Sequence, residues 1–154
     1  MPNTYSQIHI QFVFAVKYRH GIIAPQWKQE LYSYISGIIE KQGHKLLAIN
    51  GMPDHIHIFI GMRPNQSVSD LLQDIKRNSS LWINQKGVVN GKFEWQEGYG
   101  AFSYSKSHTK AVIEYIENQE IHHRRSTFKD EYLDFLRKFE IDYDERYIFN
   151  DLID

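Results

Sequence analysis

The sequence predicts an α+β fold: a ferredoxin-like split βαβ antiparallel sheet with helices on one face and an added C-terminal tyrosine-bearing helix. Segments with two-residue apolar alternation and segments with helical spacing occur in the order β-α-β-β-α-β, and further helices follow them. The length of 154 residues suits one domain, and a hydrophobic content of 42% suffices for a core. Such a fold leaves the second sheet face free for binding or chemistry, but it decides no function by itself.

The first part of the chain supplies three predicted strands and one helix. Pro25 suits a first helical turn, and Gly43 ends that helix. Pro53 and Asp54 form a tight turn between the second and third strands. The predicted ranges are 5–17 for the first strand, 25–43 for the helix, and 45–52 and 55–62 for the next two strands.

The remaining elements alternate between helix and strand and then become helical. Ser67 and Ser107 are residues of the type that caps helix N-termini, and each precedes a segment of helical spacing. A glycine-rich loop separates the first of these helices from a short strand. The predicted ranges are 67–85 for the helix, 87–100 for the loop, 101–105 for the strand, and 107–123 and 127–139 for the last helices.

The composition excludes several classes of site. The chain contains no cysteine, which rules out disulfide scaffolds, thiolate zinc sites, iron–sulfur clusters and cysteine nucleophiles. Its first residues lack the basic and apolar regions of a signal peptide. No run approaches the roughly 18 apolar residues of a membrane span. We therefore expect a cytoplasmic protein with no membrane partner.

The net charge of −1 conceals an uneven distribution. Residues 1–129 contain 15 basic and 10 acidic side chains, a balance of +5, whereas residues 130–154 contain 3 and 9, a balance of −6. A basic body is compatible with a nucleic-acid partner, and an acidic end is compatible with a solvated helix and tail. Charge alone leaves both interpretations open.

A His-x-His pair begins the third predicted strand. Side chains alternate faces along a strand, so His55 and His57 share one face while the isoleucines between and after them pack on the other. The two imidazoles are expected about 7 Å apart, within reach of one metal ion. His9 and Gln11 of the first strand are expected on the same surface. A polar strand face that happens to contain two histidines also explains so short a pattern.

The predicted helix over 107–123 carries the second feature. Tyr115, Gln119 and His122 fall on one polar edge of this helix, beside its buried stripe. Tyr115 and Gln119 are neighbours at i and i+4, which brings a phenol next to an amide oxygen. The pair offers a nucleophile beside a hard-oxygen metal ligand, although a boundary tyrosine with a surface glutamine also fits the pattern.

Together the two features predict phosphodiester chemistry. Two imidazoles and one amide oxygen leave positions on a divalent ion for substrate oxygens, and such an ion stabilises the charge that develops during in-line displacement. A tyrosine, with a reference pKa of about 10, is a weak nucleophile at neutral pH and needs that field or a proton transfer. A covalent phosphotyrosine would conserve the bond energy for rejoining.

Three blocks of sequence resemble a known family. In their residues and their order they are similar to the single-tyrosine HUH transposases of small bacterial insertion sequences, which move as single-stranded DNA. The resemblance extends from the Lys17-Tyr18-Arg19 stretch to His123. The blocks are residues 52–57 (MPDHIH), 95–103 (WQEGYGAFS) and 115–123 (YIENQEIHH).

The resemblance implies a nucleophile at Tyr115 and metal ligands at His55, His57 and Gln119. The implied ion is Mg²⁺ or Mn²⁺, although imidazole also suits zinc. In this family the tyrosine retains the 5′-phosphate and a free 3′-OH leaves. The implied partners are single-stranded DNA with hairpin-containing insertion-sequence ends and a second copy in a homodimer, whose tyrosine helix can complete the partner's site.

The resemblance also implies a division of the chain. Residues 1–125 would form the HUH transposase catalytic domain. Residues 126–154 would form a C-terminal helix and acidic tail packed on the same domain, and no family role is assigned to them.

Eight basic residues are candidates for phosphate contacts, which would make DNA binding depend on salt. Each is also explained as a solvated surface charge. The candidates are Lys17, Arg19, Lys76, Arg77, Lys106, Lys110, Arg124 and Arg125. Trp95 and Phe102 offer rings for base stacking, but core packing is the expectation for both.

Three alternatives remain beside the transposase. A replication initiator or relaxase also uses an HUH pair and a tyrosine, but the spacing of Tyr115 and Gln119 argues against it. A non-enzymatic nucleic-acid binder leaves both motifs unexplained, and the strands lack an RNP-type aromatic pair. A catalytically silenced relative that binds DNA hairpins or repeats stays open, although every position that catalysis requires is occupied.

Overall fold

The computed structural model describes residues 4–19, 22–124 and 126–144, which form one four-stranded antiparallel sheet with the strand order β2-β3-β1-β4. The predicted α+β sheet fold is therefore confirmed. Gly51 allows β2 to approach the backbone of His55, because a Cβ at this glycine would collide with the His55 carbonyl oxygen. The strands are β1 His9–Ala15, β2 Lys45–Met52, β3 His55–Gly61 and β4 Gly100–Tyr104.

The helices are arranged in two groups, one on each face of the sheet. Short 3₁₀ turns at Lys17–Arg19 and Lys106–His108 accompany them. Within the described ranges, no helix is long and apolar enough to cross a membrane. The helices are α1 Lys28–Lys41, α2 Val68–Lys86, α3 Thr109–Glu117, α4 Gln119–His122 and α5 Phe128–Lys138.

One face of the sheet, called here the apolar face, packs against α1 and α2. Its central strand residues are buried, because alternation directs one set of apolar side chains to this side. The helices contribute leucines and isoleucines at helical spacing, among them Leu31, Ile35 and Ile75. The buried strand residues of the apolar face are Phe12, Phe14, Ile56, Ile58 and Ile60, and the partly buried ones include Ile10, Leu46 and Ile49.

The opposite face, called here the polar face, carries Gln11, His55 and His57 and is covered by α3, α4 and α5. The sequence predicted this face as free; in the structure the C-terminal helices lie over it. The physical reason is that the face also contains apolar side chains such as Val13 and Phe102, which α5 buries.

The predicted helix over 107–123 is divided at Asn118, so that Tyr115 lies in α3 and Gln119 in α4. The Asn50 side chain of β2 explains the break. Its Nδ2 donates hydrogen bonds to the carbonyl oxygens of Ile116 (3.0 Å) and Glu117 (3.2 Å), which a continuous helix would use for its own ladder. The N–H of Ile121, which would donate to the Glu117 carbonyl in a continuous helix, donates instead to the carbonyl of Asn118 at 3.1 Å.

Candidate metal centre and nucleophile

The two imidazoles of the His-x-His pair lie side by side on the polar face, as the alternation of β3 requires. His55 and His57 are both fully buried, and their ring centroids are 5.2 Å apart. The Nε2 atoms of both rings point to the same carboxylate oxygen, Glu131 Oε1, at 3.4 Å and 2.9 Å. Both rings therefore present a possible ligand atom to one point.

The other nitrogen of each ring is held by a neighbouring polar side chain. Asp54 Oδ1 lies 2.7 Å from His55 Nδ1, and the Gln11 amide lies 2.9 Å from His57 Nδ1. Tyr104 in turn donates its hydroxyl to Gln11 Oε1 at 3.1 Å. Partners of this kind fix the orientation of a ligating histidine. The Gln11 atom at this distance is Nε2, which donates to an unprotonated Nδ1, so the proton of His57 lies on Nε2 in the metal-free protein. If Nε2 binds an ion, the proton moves to Nδ1 and the Gln11 amide turns over, so that its oxygen accepts from Nδ1 and its NH₂ group donates to the Tyr104 hydroxyl.

Tyr115 and Gln119 reach the same point from α3 and α4. The Tyr115 hydroxyl donates a short hydrogen bond to Glu131, and its ring centroid lies 5.9 Å from that of His57. Gln119 is fully buried; its Oε1 is 3.1 Å from His55 Nε2, and its Nε2 donates to Glu131 at 3.3 Å. The structure thus brings together Tyr115, His55, His57 and Gln119, the four residues singled out from the sequence.

Glu131 of α5 is the residue that the sequence analysis missed. It lies at the centre of the cluster, and His123 Nε2 is also 3.2 Å from its Oε1. The resemblance ended before this helix, so no role was carried over to it. A signal was nevertheless present: Glu131 occupies the apolar stripe of α5, three residues after Phe128 and four before Phe135, where a solvated glutamate is not expected.

The charges of the cluster depend on one another. Burial opposes ionisation of Glu131, but the imidazoles of His123, His55 and His57 outweigh it and hold its pKa far below the usual range. Burial also opposes protonation of His55, yet hydrogen bonds to Asp54 and Glu131 raise its pKa to about 9. Without an ion, Glu131 is therefore a carboxylate and His55 is cationic at neutral pH.

His57 and Tyr115 are both neutral at pH 7. Burial lowers the pKa of His57, although its hydrogen bond to Glu131 acts in the opposite direction. Burial and the adjacent Glu131 carboxylate raise the pKa of the Tyr115 hydroxyl well above 10. Consequently the phenol keeps its proton unless another group accepts it.

The donor set fits a divalent cation. Ligand atoms of His55, His57 and Glu131 all lie within 4.8 Å of one another, and all three residues are buried. The amide oxygen of Gln119 is adjacent. Two imidazole nitrogens with carboxylate and amide oxygens suit Mn²⁺, Mg²⁺ or Zn²⁺, so the chemistry of these residues is compatible with the ion that the family resemblance implies.

The candidate DNA-contacting residues have different environments. Lys17 pairs with Glu94 at 3.1 Å, and Lys76 Nζ donates to the carbonyl oxygens of Gln96 (2.7 Å) and Gly98 (2.8 Å). Arg125 lies outside the described residues, as does the side chain of Arg19. The exposed members are Arg77, Lys106, Lys110 and Arg124. Trp95 and Phe102 are both buried, in agreement with core packing.

The sequence is similar to one protein family and to several known proteins. The family described as IS200-like transposases matches residues 4–119. The ISDra2 transposase TnpA of Deinococcus radiodurans is 24% identical over 118 residues, which cover 73% of this chain and 84% of that protein. The IS200 transposase of Salmonella typhimurium is 29% identical over 112 residues, which cover 70% of this chain and 73% of that protein.

Two solved structures resemble this one. A crystal structure described as a transposase of Deinococcus radiodurans R1 has a TM-score of 0.58 and 26% identity, covering 76% of this chain and 94% of that chain. A REP-associated tyrosine transposase bound to a REP hairpin has a TM-score of 0.60 and 15% identity, covering 79% and 72%. The latter likeness is one of fold alone.

Proposed function

The chain belongs to the IS200-like transposases, and we propose that it cleaves and rejoins single-stranded DNA at insertion-sequence ends through a 5′-phosphotyrosine on Tyr115. One observation carries the proposal. The Tyr115 hydroxyl and the Nε2 atoms of His55 and His57 converge on a single carboxylate, that of Glu131. A nucleophile and two ligand atoms are thus within reach of the same reacting group.

The residues that would hold a divalent ion, Mg²⁺ or Mn²⁺, are His55, His57, Gln119 and Glu131. When bound, such an ion polarises a phosphodiester and stabilises the charge that develops on its oxygens. Asp54 and Gln11 would keep the two imidazoles oriented through Nδ1. Through Glu131, the C-terminal helix α5 would supply a ligand in addition to those that the resemblance implied.

Tyr115 must lose a proton in order to attack. Its raised pKa keeps the phenol protonated at neutral pH, and the Glu131 carboxylate accepts the hydrogen bond of this hydroxyl. Glu131 thus holds the hydroxyl in place, but the three imidazoles make this carboxylate a weak base, so the proton passes to solvent as the phenol oxygen bonds to phosphorus. The bond from phosphorus to the 3′-oxygen breaks, and that oxygen takes up a proton to leave as a 3′-OH. Attack of a 3′-OH on the phosphotyrosine reverses the step and joins strands.

We propose single-stranded DNA as the partner, with hairpins at the insertion-sequence ends. The solved relative of the same fold that is bound to a REP hairpin supports this partner. The exposed basic residues Arg77, Lys106, Lys110 and Arg124 are the proposed phosphate contacts. Arg19 and Arg125 keep the same proposed role. Lys17 and Lys76 would have to exchange their present partners for phosphate.

We further propose a cytoplasmic homodimer with a catalytic domain over 1–125 and a C-terminal segment over 126–154 packed on it. In this chain Tyr115 already lies beside His57 of the same subunit. This arrangement favours a site completed in cis. Mixing Tyr115→Phe with His57→Ala subunits tests the assembly, because only a site shared between subunits would recover activity in the mixture.

The experiment for the proposed function uses labelled single-stranded oligonucleotides tiled across the DNA that flanks the gene. Protein and Mn²⁺ or Mg²⁺ are added, and a denaturant-resistant protein–DNA adduct is sought. We expect an adduct with the wild-type protein and none with Tyr115→Phe, which removes only the hydroxyl. Salt-sensitive binding without any adduct would instead indicate a silenced DNA-binding relative.

A further inference from the structure

A cavity of about 640 Å³ lies on the polar face between α3 and α5. Tyr115 and Glu131 form part of its wall, so the cavity adjoins the nucleophilic hydroxyl directly. Its volume lies in the range of pockets that enclose small organic ligands. The metal centre and the nucleophile do not account for this space.

The wall of the cavity is largely aromatic and aliphatic. Tyr104, Phe135 and Tyr115 contribute rings, and Ala111 and Val112 contribute small aliphatic groups from α3. The rings are held in place: Phe135 stacks on Phe102 with centroids 5.0 Å apart, and Tyr104 is anchored through its hydroxyl to Gln11. Fixed aromatic side chains are suited to flat heterocycles, because every nucleobase has a π-face.

The rim of the cavity carries charge. His108 and Lys138 lie on it and are exposed, as is Asp134, whose carboxylate pairs with Arg137 at 3.5 Å. The apolar surface of the wall and the ammonium group of Lys138 match a nucleotide, whose base is apolar on its faces and whose phosphate is anionic.

We infer that this cavity receives the unpaired base of the nucleotide that adjoins the scissile phosphate. The inference rests on the proposed function, because the scissile phosphate must lie against the Tyr115 hydroxyl, and a nucleoside attached to it must then extend along the wall that Tyr115 forms. The space lies between side chains of α3 and α5, where an extruded base meets aromatic rings on which it can stack. The cavity thereby contributes binding energy for one unpaired base beside the cleavage point.

The test begins with the oligonucleotide that forms the adduct with the wild-type protein. Abasic residues are introduced one at a time on each side of the cleavage point, and binding is measured in EDTA to separate it from cleavage. We expect one of the two flanking abasic substitutions to weaken binding about tenfold or more, with smaller effects further away.

A cavity-filling variant provides the matching change in the protein. Ala111→Trp adds a ring at an exposed position of α3 that lines the cavity, and we expect it to weaken binding of the intact oligonucleotide but not of the sensitive abasic one. Ala101→Trp, at an exposed alanine of β4 that does not line the cavity, is the control and should leave both affinities unchanged.

The outcomes separate the two hypotheses. If the wild-type protein forms the adduct but both flanking abasic substitutions leave binding unaltered, the inference is overturned and the proposed function stands. If no oligonucleotide forms an adduct, the proposed function fails and the inference fails with it. The abasic series uses only the wild-type protein, so misfolding of Ala111→Trp cannot obscure the result.

Discussion

The two faces of the sheet, formed by alternate residues of the same strands, bury different kinds of side chain. The apolar face buries isoleucine, leucine and phenylalanine side chains against α1 and α2 in the larger core cluster. The polar face buries His55, His57 and Gln11, together with Gln119 and Glu131 from its covering helices, beside two smaller apolar clusters. Burial stabilises the first set of side chains, whereas the second set must be hydrogen-bonded or paired to be tolerated at all.

The difference shows how one strand serves both stability and chemistry. Consecutive residues of β3 point to opposite faces, so an imidazole that faces the candidate metal centre is followed by an isoleucine in the core. The rigid apolar side fixes the strand, and the strand then fixes the two imidazoles relative to each other. The polar face holds charges that compensate one another only while α5 keeps Glu131 in position.

The largest expected effect comes from substituting adjacent residues of β3. In EDTA, we expect Ile58→Ala to lower the free energy of unfolding by about 2–5 kcal/mol, because a fully buried side chain is removed from a packed core. We expect the Mn²⁺ affinity of the folded protein to stay within about twofold, well under 1 kcal/mol. For His57→Ala we expect no measurable Mn²⁺ binding, because one imidazole ligand is lost.

Urea denaturation and calorimetric titration with Mn²⁺ measure these two quantities separately. If folded Ile58→Ala also lost Mn²⁺ binding, the two faces would not be independent. Equal Mn²⁺ affinity of His57→Ala and the wild-type protein would contradict the metal centre itself.

The apolar face was predictable from the sequence almost residue by residue. Alternation assigned the isoleucines of β3 to one side of the strand, and helical spacing predicted the helix over 67–85. In the structure, Leu71 and Ile75 of this helix belong to the same core cluster as Ile56, Ile58 and Ile60. Both patterns are local, because each depends only on the geometry of its own element. The sequence analysis therefore needed no information about contacts between distant parts of the chain.

The polar face was predictable only in part. The alternation of β3 placed His55 and His57 together, and the resemblance added Tyr115 and Gln119. Two features depended on distant contacts. Asn50 of β2 ends α3, and α5 folds back to bring Glu131 into the cluster; both contacts join segments more than 60 residues apart, Asn50 to Ile116 and Glu131 to His57.

The second prediction concerns the pH dependence of the unfolding free energy, to which the polar face contributes through His55. His55 has a pKa of about 9 in the folded, metal-free protein and about 6.5 when unfolded. Its stabilising contribution is thus fully present below pH 6.5 and is lost as the pH rises through 9. A difference of this size corresponds to roughly 3 kcal/mol. Glu131, whose pKa is lowered, changes protonation only below this window. His57, whose pKa is also lowered, partly opposes the effect at pH 6, because the unfolded chain there takes up a proton that the folded His57 does not.

Denaturation in EDTA at pH 6 and pH 9 measures this contribution. We expect Asp54→Asn to reduce the pH dependence, because it removes the carboxylate that is hydrogen-bonded to His55 Nδ1. Bound Mn²⁺ should also reduce it, since a ligating imidazole has no proton on Nε2. A metal-free wild-type protein with equal stability at the two pH values would show that His55 is not cationic in the cluster.

The smallest expected effects come from a matched pair of helix caps, one on each side of the sheet. Ser67 Oγ accepts a hydrogen bond from Asp70 N (3.1 Å) at the start of α2, and Thr127 Oγ1 accepts one from Asp130 N (3.2 Å) at the start of α5. Replacing either cap with alanine should cost about 1 kcal/mol of unfolding free energy. The two variants should therefore have nearly equal unfolding free energies when they are measured by urea denaturation.

Their Mn²⁺ affinities should differ. Thr127→Ala loosens the first turn of the helix that holds Glu131, so we expect its affinity for Mn²⁺ to fall by up to about fivefold, the equivalent of 1 kcal/mol. Ser67→Ala acts on a helix of the apolar face and should leave the affinity unchanged. Equal Mn²⁺ affinities for the two variants would mean that the N-terminal turn of α5 does not determine the position of Glu131. The geometry of the metal centre would then depend on the β3 histidines and Gln119, with the C-terminal helix serving only as a cover.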